Sequence, residues 1–459
     1  MTSRRPIYRL NRGRIAAASG GGASSVFPLA GHIAWISTFY GDDTTHLTVA
    51  SSKITQFVNQ STAVAWPNAT SAEQFAWEAN DLATGLNGFP CGHPDSGDKY
   101  RATEAALLAI PNGNSDHTVF FVASPDVAAA FQVFCSWANS ASASGYLAYG
   151  LDVSGKIAAY STAAFRLGTT VLTNNRPRVI ALKRSGNVLT AWIDGVSDAL
   201  DAGGAFAVGA LTTNRFTLNR RGRSTDDLPW VGRSGELLVY PTALTDGQIV
   251  TQSLQMVERW QLTYARFLAA GDSLSRGFGS VSAQRLEERI TPTRSTQRYS
   301  AAQNGWETAN LTASEATLVT PRRRTWSNAD VVCCWIGNND IKNTADSAVV
   351  IYGRIQTLID SYQAAGFEVI AVTVTHRDSA ELSGDGLTLF NTVCDALNVL
   401  ILANAAGAEA TVDAQAYLDG LGATSDTAPN AWYSDDTHLT DLTYNGIASL
   451  VTTALNGLI

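Results

Sequence analysis

The chain is predicted to be multidomain, an all-β sandwich followed by an α/β domain built on a parallel sheet. Three observations predict this. Its 459 residues exceed one ordinary domain. From about residue 28 to residue 260, short alternating apolar runs recur between Gly, Asn, Asp and Pro, as in two packed antiparallel sheets. Beyond 260, continuous apolar runs alternate with stretches at helical spacing, the mark of parallel strands joined by crossover helices. The expected organisation is a basic arm at 1–28, a sandwich with a trailing helix at 29–260, and the α/β domain at 261–459.

The arm differs from everything after it. Arg4, Arg5, Arg9, Arg12 and Arg14 fall in a stretch without an acidic residue, and Ser19-Gly20-Gly21-Gly22-Ala23-Ser24-Ser25 follows. That glycine-serine run cannot supply the roughly 7–15-residue apolar core of a secretory signal peptide. It reads either as a disordered terminus with a flexible linker or as an arm that docks on an acidic partner or a larger assembly.

In the sandwich, strands are expected at 118–123, 145–151, 156–160, 178–183, 188–193, 215–218 and 235–240. The stretch 178–195 reads as a hairpin turning at Ser185-Gly186-Asn187, with a second turn at Asp194-Gly195. A last strand from Gly235 then leads into a helix reaching Trp260. This part resembles the concanavalin A-like, or laminin-G-like, lectin domains, whose last strand and trailing helix look similar. Many such domains bind glycans and others only pack or space. Trp66, Trp137, Trp192 and Trp230 are candidates either to stack on sugars or to fill the core.

The α/β domain opens with an apolar strand at 264–268, broken by Ala269-Ala270-Gly271-Asp272-Ser273-Leu274-Ser275. A serine there is lifted out of the sheet end, where its hydroxyl and neighbouring N–H groups can face a substrate. Three further blocks follow in order: Asn304-Gly305, then Gly337-Asn338-Asn339-Asp340, then Asp435-Asp436-Thr437-His438. Each block alone has the composition of a turn. Together they supply what ester cleavage needs. Ser273 is the expected nucleophile, which at neutral pH requires an adjacent base. His438 can take its proton and return it to the leaving alcohol, and Asp435 can hold the far ring nitrogen and fix the tautomer. The backbone N–H groups of Ser273 and Gly305 and the Asn339 amide are the expected oxyanion donors. Glycine at 305 suits close approach of backbone to a ligand.

These blocks resemble those of the GDSL, or SGNH, hydrolases, which are named for the Ser, Gly, Asn and His matched here by Ser273, Gly305, Asn339 and His438. The resemblance covers roughly the last two fifths of the chain, and its second block, Ala302 to Thr308, is the loosest match. It implies a three-layer α/β/α fold and hydrolysis of esters or thioesters with no metal or cofactor. The Gly-x-Ser-x-Gly signature of α/β-hydrolases is absent from the chain. Further elements fit alternation: a buried strand at 330–336, a helix at 344–365 ending at Gly366, a strand at 367–375, a helix at 387–405, a strand at 408–412 and a closing helix at 443–458. His376, just past a strand, is a rival base without an acid three residues before it, and is read as a rim or substrate-contacting residue.

Composition bounds the partners. A formal net charge of -8 argues against a nucleic-acid binder, and no apolar run approaches the roughly 20 residues of a membrane span. Of the five cysteines, Cys333 and Cys334 are expected on opposite faces of a buried strand and Cys394 in a helix, while Cys91 and Cys135 could pair in an oxidising compartment. No Cys/His cluster has zinc spacing. The expected protein is a cofactor-free serine esterase that removes acyl groups, O-acetyl foremost, from a carbohydrate polymer held by the lectin-like domain. It is expected outside the cell or on a particle such as a bacteriophage tail or spike. A non-catalytic glycan-binding adhesion protein and a lipid-ester or thioester hydrolase are the alternatives.

Overall fold

The computed structural model describes residues 28–459 apart from short breaks, the longer being 39–46, 79–85, 201–205, 378–384 and 424–428. Residues 1–27 of the basic arm lie outside the described residues.

Two antiparallel sheets, of eleven and six strands among the described residues, enclose a core that includes Phe57, Phe121, Phe134, Trp137, Tyr149, Ile180 and Phe216. The strands His117–Pro125, Arg178–Ser185, Val188–Ile193 and Gly232–Tyr240 run side by side in the larger sheet. Gly186 at φ +56° and the pair Asp194 (φ +52°) and Gly195 (φ +82°) turn the chain within this sheet, as two-residue hairpins require. The strand Gln132–Ala138, buried at all seven residues, was not among the sequence expectations. Its Val133 faces outward into a small cluster with Tyr160, and Phe134 faces the inner core.

The helix Asp246–Arg259 covers the outer face of the larger sheet, setting Ile249, Met256 and Val257 against Phe120, Val122, Val179 and Leu238. Its start is a capping box. Thr245 Oγ1 accepts from the Gln248 N–H (3.2 Å), and Gln248 Oε1 accepts from the Thr245 N–H (2.9 Å).

Trp66, Trp137, Trp192 and Trp230 are all buried, at 1, 0, 4 and 0% exposure, which removes them as sugar-stacking platforms. Cys91 and Cys135 are both free, buried, and in different sheets, so the pairing considered for them is not formed.

A separate five-stranded parallel sheet follows, in the order Thr296–Ser300, Ala265–Gly271, Asp330–Trp335, Glu368–Val372, Ala410–Val412. Alternate residues of its three central strands bury on opposite faces. Leu268, Val332, Cys334 and Val369 meet the helices Ala348–Ala364 and Asp385–Ala403. Phe267, Val331, Cys333 and Ile370 meet the closing helix Asp441–Leu458. Cys333 and Cys334 thus face opposite sides, as alternation demands.

The helix expected at 344–365 is observed at Ala348–Ala364, and a further short helix that the sequence reading did not expect, Asn338–Thr344, precedes it. Asn338 and Asn339 therefore lie in a helical first turn.

Because the first strand in sequence lies second in space, connections leave it on both sides. The crevice at its carboxyl end is where ligands bind in open parallel sheets. Ser273 sits at that end.

Candidate active site

Three loops leave the carboxyl ends of three adjacent strands and converge. The first loop, which carries Ser273, follows Ala265–Gly271. Glycine is required at 271, since a Cβ there would lie 2.0 Å from the Trp335 carbonyl oxygen of the next strand and 2.4 Å from Ser275 Oγ. Gln303 N–H donates to the Gly271 carbonyl (3.1 Å), bringing the second loop alongside. Asp340 braces the second loop to the third, accepting from the Thr308 N–H (3.0 Å) and from Thr308 Oγ1 (2.5 Å).

The fourth block arrives from 165 residues away. Tyr433 and Leu439 pair as an isolated bridge, and Ser434 N–H donates to the His438 carbonyl (2.8 Å), closing a tight loop with Asp435 and His438 on it. The closing helix anchors this loop to the Ser273 loop. Asp441, in its first turn, accepts from the Ser282 N–H (3.0 Å) and from Arg289 Nη2 (2.6 Å). Tyr444 Oη donates to the Phe278 carbonyl (3.1 Å).

Within that frame His438 Nε2 lies 3.0 Å from Ser273 Oγ. His438 Nδ1 lies 2.9 and 2.8 Å from the two oxygens of Asp435. Asp435 Oδ1 also accepts the N–H groups of Thr437 (2.9 Å) and His438 (2.7 Å). Partial burial works to raise the Asp435 carboxyl, but the backbone N–H of His438, its ring and the Thr437 N–H outweigh this and hold it below its ordinary value. The carboxylate is kept ionised and aimed at Nδ1, which leaves Nε2 free to accept the Ser273 proton. The Phe278 ring meets the His438 ring edge-on at 4.7 Å and covers one side of it.

Asn339 is 9% exposed. Its Nδ2 donates to the Trp306 carbonyl (3.0 Å), and its Oδ1 accepts from Arg377 Nη2 (3.1 Å). Gly305 is in a left-handed turn at φ +76°, yet a Cβ there would meet nothing within 4 Å. The left-handed backbone by itself favours glycine at this position.

His376 is not part of this cluster. Its Nε2 bonds Asp395 Oδ1 at 2.7 Å, an acid 19 residues downstream. Burial pushes the Asp272 carboxyl, beside Ser273, up to about 7, against the pull of the Leu274 N–H and the Arg377 charge.

Sequence reasoning missed Arg377, Gly279 and the bracing role of Asp340. Arg377 carries no motif of its own. Gly279 had a visible signal, a second glycine two residues after Gly277 in the loop following the serine.

No protein-family model matches the chain, and no curated protein does. Solved structures that match part of the chain include the CBM40 of Ruminococcus gnavus IT-sialidase, at 16% identity over 36% of this chain and 96% of that one, TM-score 0.32. Domain 4 of AbnA, a GH43 extracellular arabinanase from Geobacillus stearothermophilus in complex with arabinotriose, matches at 12% identity over 49% and 98%, TM-score 0.34. A member of the lipolytic G-D-S-L protein family from Veillonella parvula matches at 18% identity over 40% and 93%, TM-score 0.31. Among the described residues, no helix is long and apolar enough to cross a membrane.

Proposed function

We propose that the chain is a serine esterase of the SGNH type, with a three-layer α/β/α catalytic domain behind a concanavalin A-like sandwich, and that it removes acyl groups from a carbohydrate polymer. The observation that carries this reading is the continuous chain from Ser273 Oγ to His438 Nε2 (3.0 Å) and from Nδ1 to Asp435 (2.8 Å) at the carboxyl edge of the sheet.

Ser273 Oγ attacks the ester carbonyl carbon as its proton passes to His438 Nε2. The carbonyl oxygen becomes an oxyanion, stabilised by the Asn339 amide and the N–H groups of Ser273 and Gly305. Collapse breaks the bond to the alcohol oxygen, which leaves with the proton from His438. Water then attacks the acyl-serine with His438 again as base, releasing the carboxylic acid and restoring Ser273. Asp435 stabilises the imidazolium in both halves.

O-acetyl esters on a polysaccharide are the proposed substrate. The sandwich tethers the polymer and raises the local ester concentration. Among its described residues, Phe131 and Phe165 are exposed aromatics, at 38 and 39%.

The test follows p-nitrophenyl acetate hydrolysis by wild type and Ser273→Ala. The expected result is loss to background in the variant, and equal activity in both removes the nucleophile assignment. Acetate release from acetylated polysaccharide, set beside fatty-acid release from a long-chain ester, decides the substrate class. Preference for the long-chain ester overturns the carbohydrate reading.

A further inference from the structure

We propose that Arg377 is a positioning residue for the acyl-transfer step, because its guanidinium fixes and polarises the Asn339 amide. The inference rests on the reading of Asn339 as an oxyanion donor and names what makes it one.

The two ends of the amide meet groups of opposite kind. Oδ1 accepts from Arg377 Nη2 (3.1 Å), and Nδ2 donates to the Trp306 carbonyl (3.0 Å). A guanidinium has no acceptor and a carbonyl has no donor. Turning the amide over would set NH₂ against N–H and oxygen against oxygen, so both hydrogen bonds would be lost. Only one orientation survives, and in it the second Nδ2 hydrogen is left for the substrate oxygen.

The placement of Arg377 suits this task. The residue is 2% exposed, its guanidinium lies over the Phe390 ring at 5.2 Å, and its chain follows the end of the neighbouring Glu368–Val372 strand. A buried positive charge on Oδ1 also draws electrons from the amide and makes Nδ2–H a stronger donor, an effect a low-dielectric surrounding enhances. That gain is largest when the oxyanion has formed, so it falls on kcat rather than on substrate binding.

The experiment is a double-mutant cycle in p-nitrophenyl acetate hydrolysis with Arg377→Ala, Arg377→Lys, Asn339→Ala and the Arg377→Ala/Asn339→Ala pair, each checked for a cooperative thermal melt. Loss of a whole oxyanion donor costs about 100- to 1000-fold. Arg377→Ala is expected to lower kcat about 10- to 100-fold with KM within about threefold, and to add less than about threefold once Asn339 is gone. Arg377→Lys, which can still donate to Oδ1, is expected to recover part of the loss. Wild-type kcat in Arg377→Ala, a change confined to KM, or a fully multiplicative loss in the double variant overturns the proposal. If Arg377→Ala does not fold, the same cycle built on Arg377→Lys decides. Full activity in Asn339→Ala overturns the oxyanion assignment itself, a failure distinct from that of Arg377.

Discussion

Gly279 tests whether the nucleophile loop holds the base in place. A Cβ on this residue would lie 2.6 Å from His438 Cβ and 2.6 Å from Ser434 Oγ, at a φ of +83°. Carbon atoms rest about 3.5–4.0 Å apart, so Gly279→Ala forces a displacement of about 1 Å. Displaced away from Gly279, His438 would stretch its 3.0 Å approach to Ser273 beyond hydrogen-bond reach. A misplacement of that size costs about 100-fold in rate. The left-handed backbone adds about 1–2 kcal/mol of destabilisation. Gly407, at φ +73° with nothing within 4 Å of a built Cβ, separates the two effects, because Gly407→Ala carries the strain without the contact. The assay is p-nitrophenyl acetate turnover with a urea melt for each variant. Gly279→Ala should lose about 100-fold in kcat and Gly407→Ala almost nothing, with the larger loss of stability in Gly279→Ala. Full turnover by Gly279→Ala would refute the claim that this loop sets the histidine.

Three further outcomes follow from the same contacts. Asp435→Asn should lower kcat by about 10⁴-fold while the fold persists, since an amide facing Nδ1 favours the wrong tautomer, and a loss under tenfold in steady-state rates would contradict it. Asn87, buried, accepts from Arg266 Nη2 (3.0 Å) and Arg324 Nη1 (3.2 Å) and donates to the Gln261 carbonyl (2.5 Å), joining the sandwich to the α/β part. Asn87→Ala should lower unfolding free energy by about 2–4 kcal/mol without changing the kcat of folded protein, and an unchanged denaturant midpoint would contradict it. Asp272 sits at about 7 instead of 3.8, so the folded state binds its proton more tightly than the unfolded chain. Its contribution to stability is therefore lost as pH rises from about 4 to 7, by up to about 4 kcal/mol. Asp272→Asn should flatten that decline, and parallel stability curves for variant and wild type across pH 4–8 would refute the assignment.

The catalytic blocks were legible because each is local: a strand, a break, and a few small polar residues whose backbone must turn. Asp435 and His438 were legible as a pair for the same reason, three residues apart on one loop. The contact of His438 with Ser273 across 165 positions was an expectation drawn from the order of the blocks, since nothing local encodes it. What makes it physical is Asp441 with Ser282 and Arg289, side chains that belong to no motif. Arg377 was illegible for the same reason, since its partner Asn339 lies 38 positions away. In the sandwich, His117–Pro125 was legible and Gln132–Ala138 was not, although both are buried at every residue: Thr-Val-Phe-Phe-Val-Ala reads as an unbroken run, whereas Gln132 and Ser136 interrupt the other. The four tryptophans could not be sorted from sequence because an indole in a sheet serves core and ligand equally well, and burial decided for the core.

The central claim is that Ser273 carries the acyl group. Active protein treated with a fluorophosphonate until p-nitrophenyl acetate turnover ceases, then digested and sequenced by mass spectrometry, tests it most directly. The expected result is one phosphonyl adduct per chain, on Ser273, rising in step with inactivation. An adduct on a different residue, or complete inactivation with Ser273 unmodified, would contradict it.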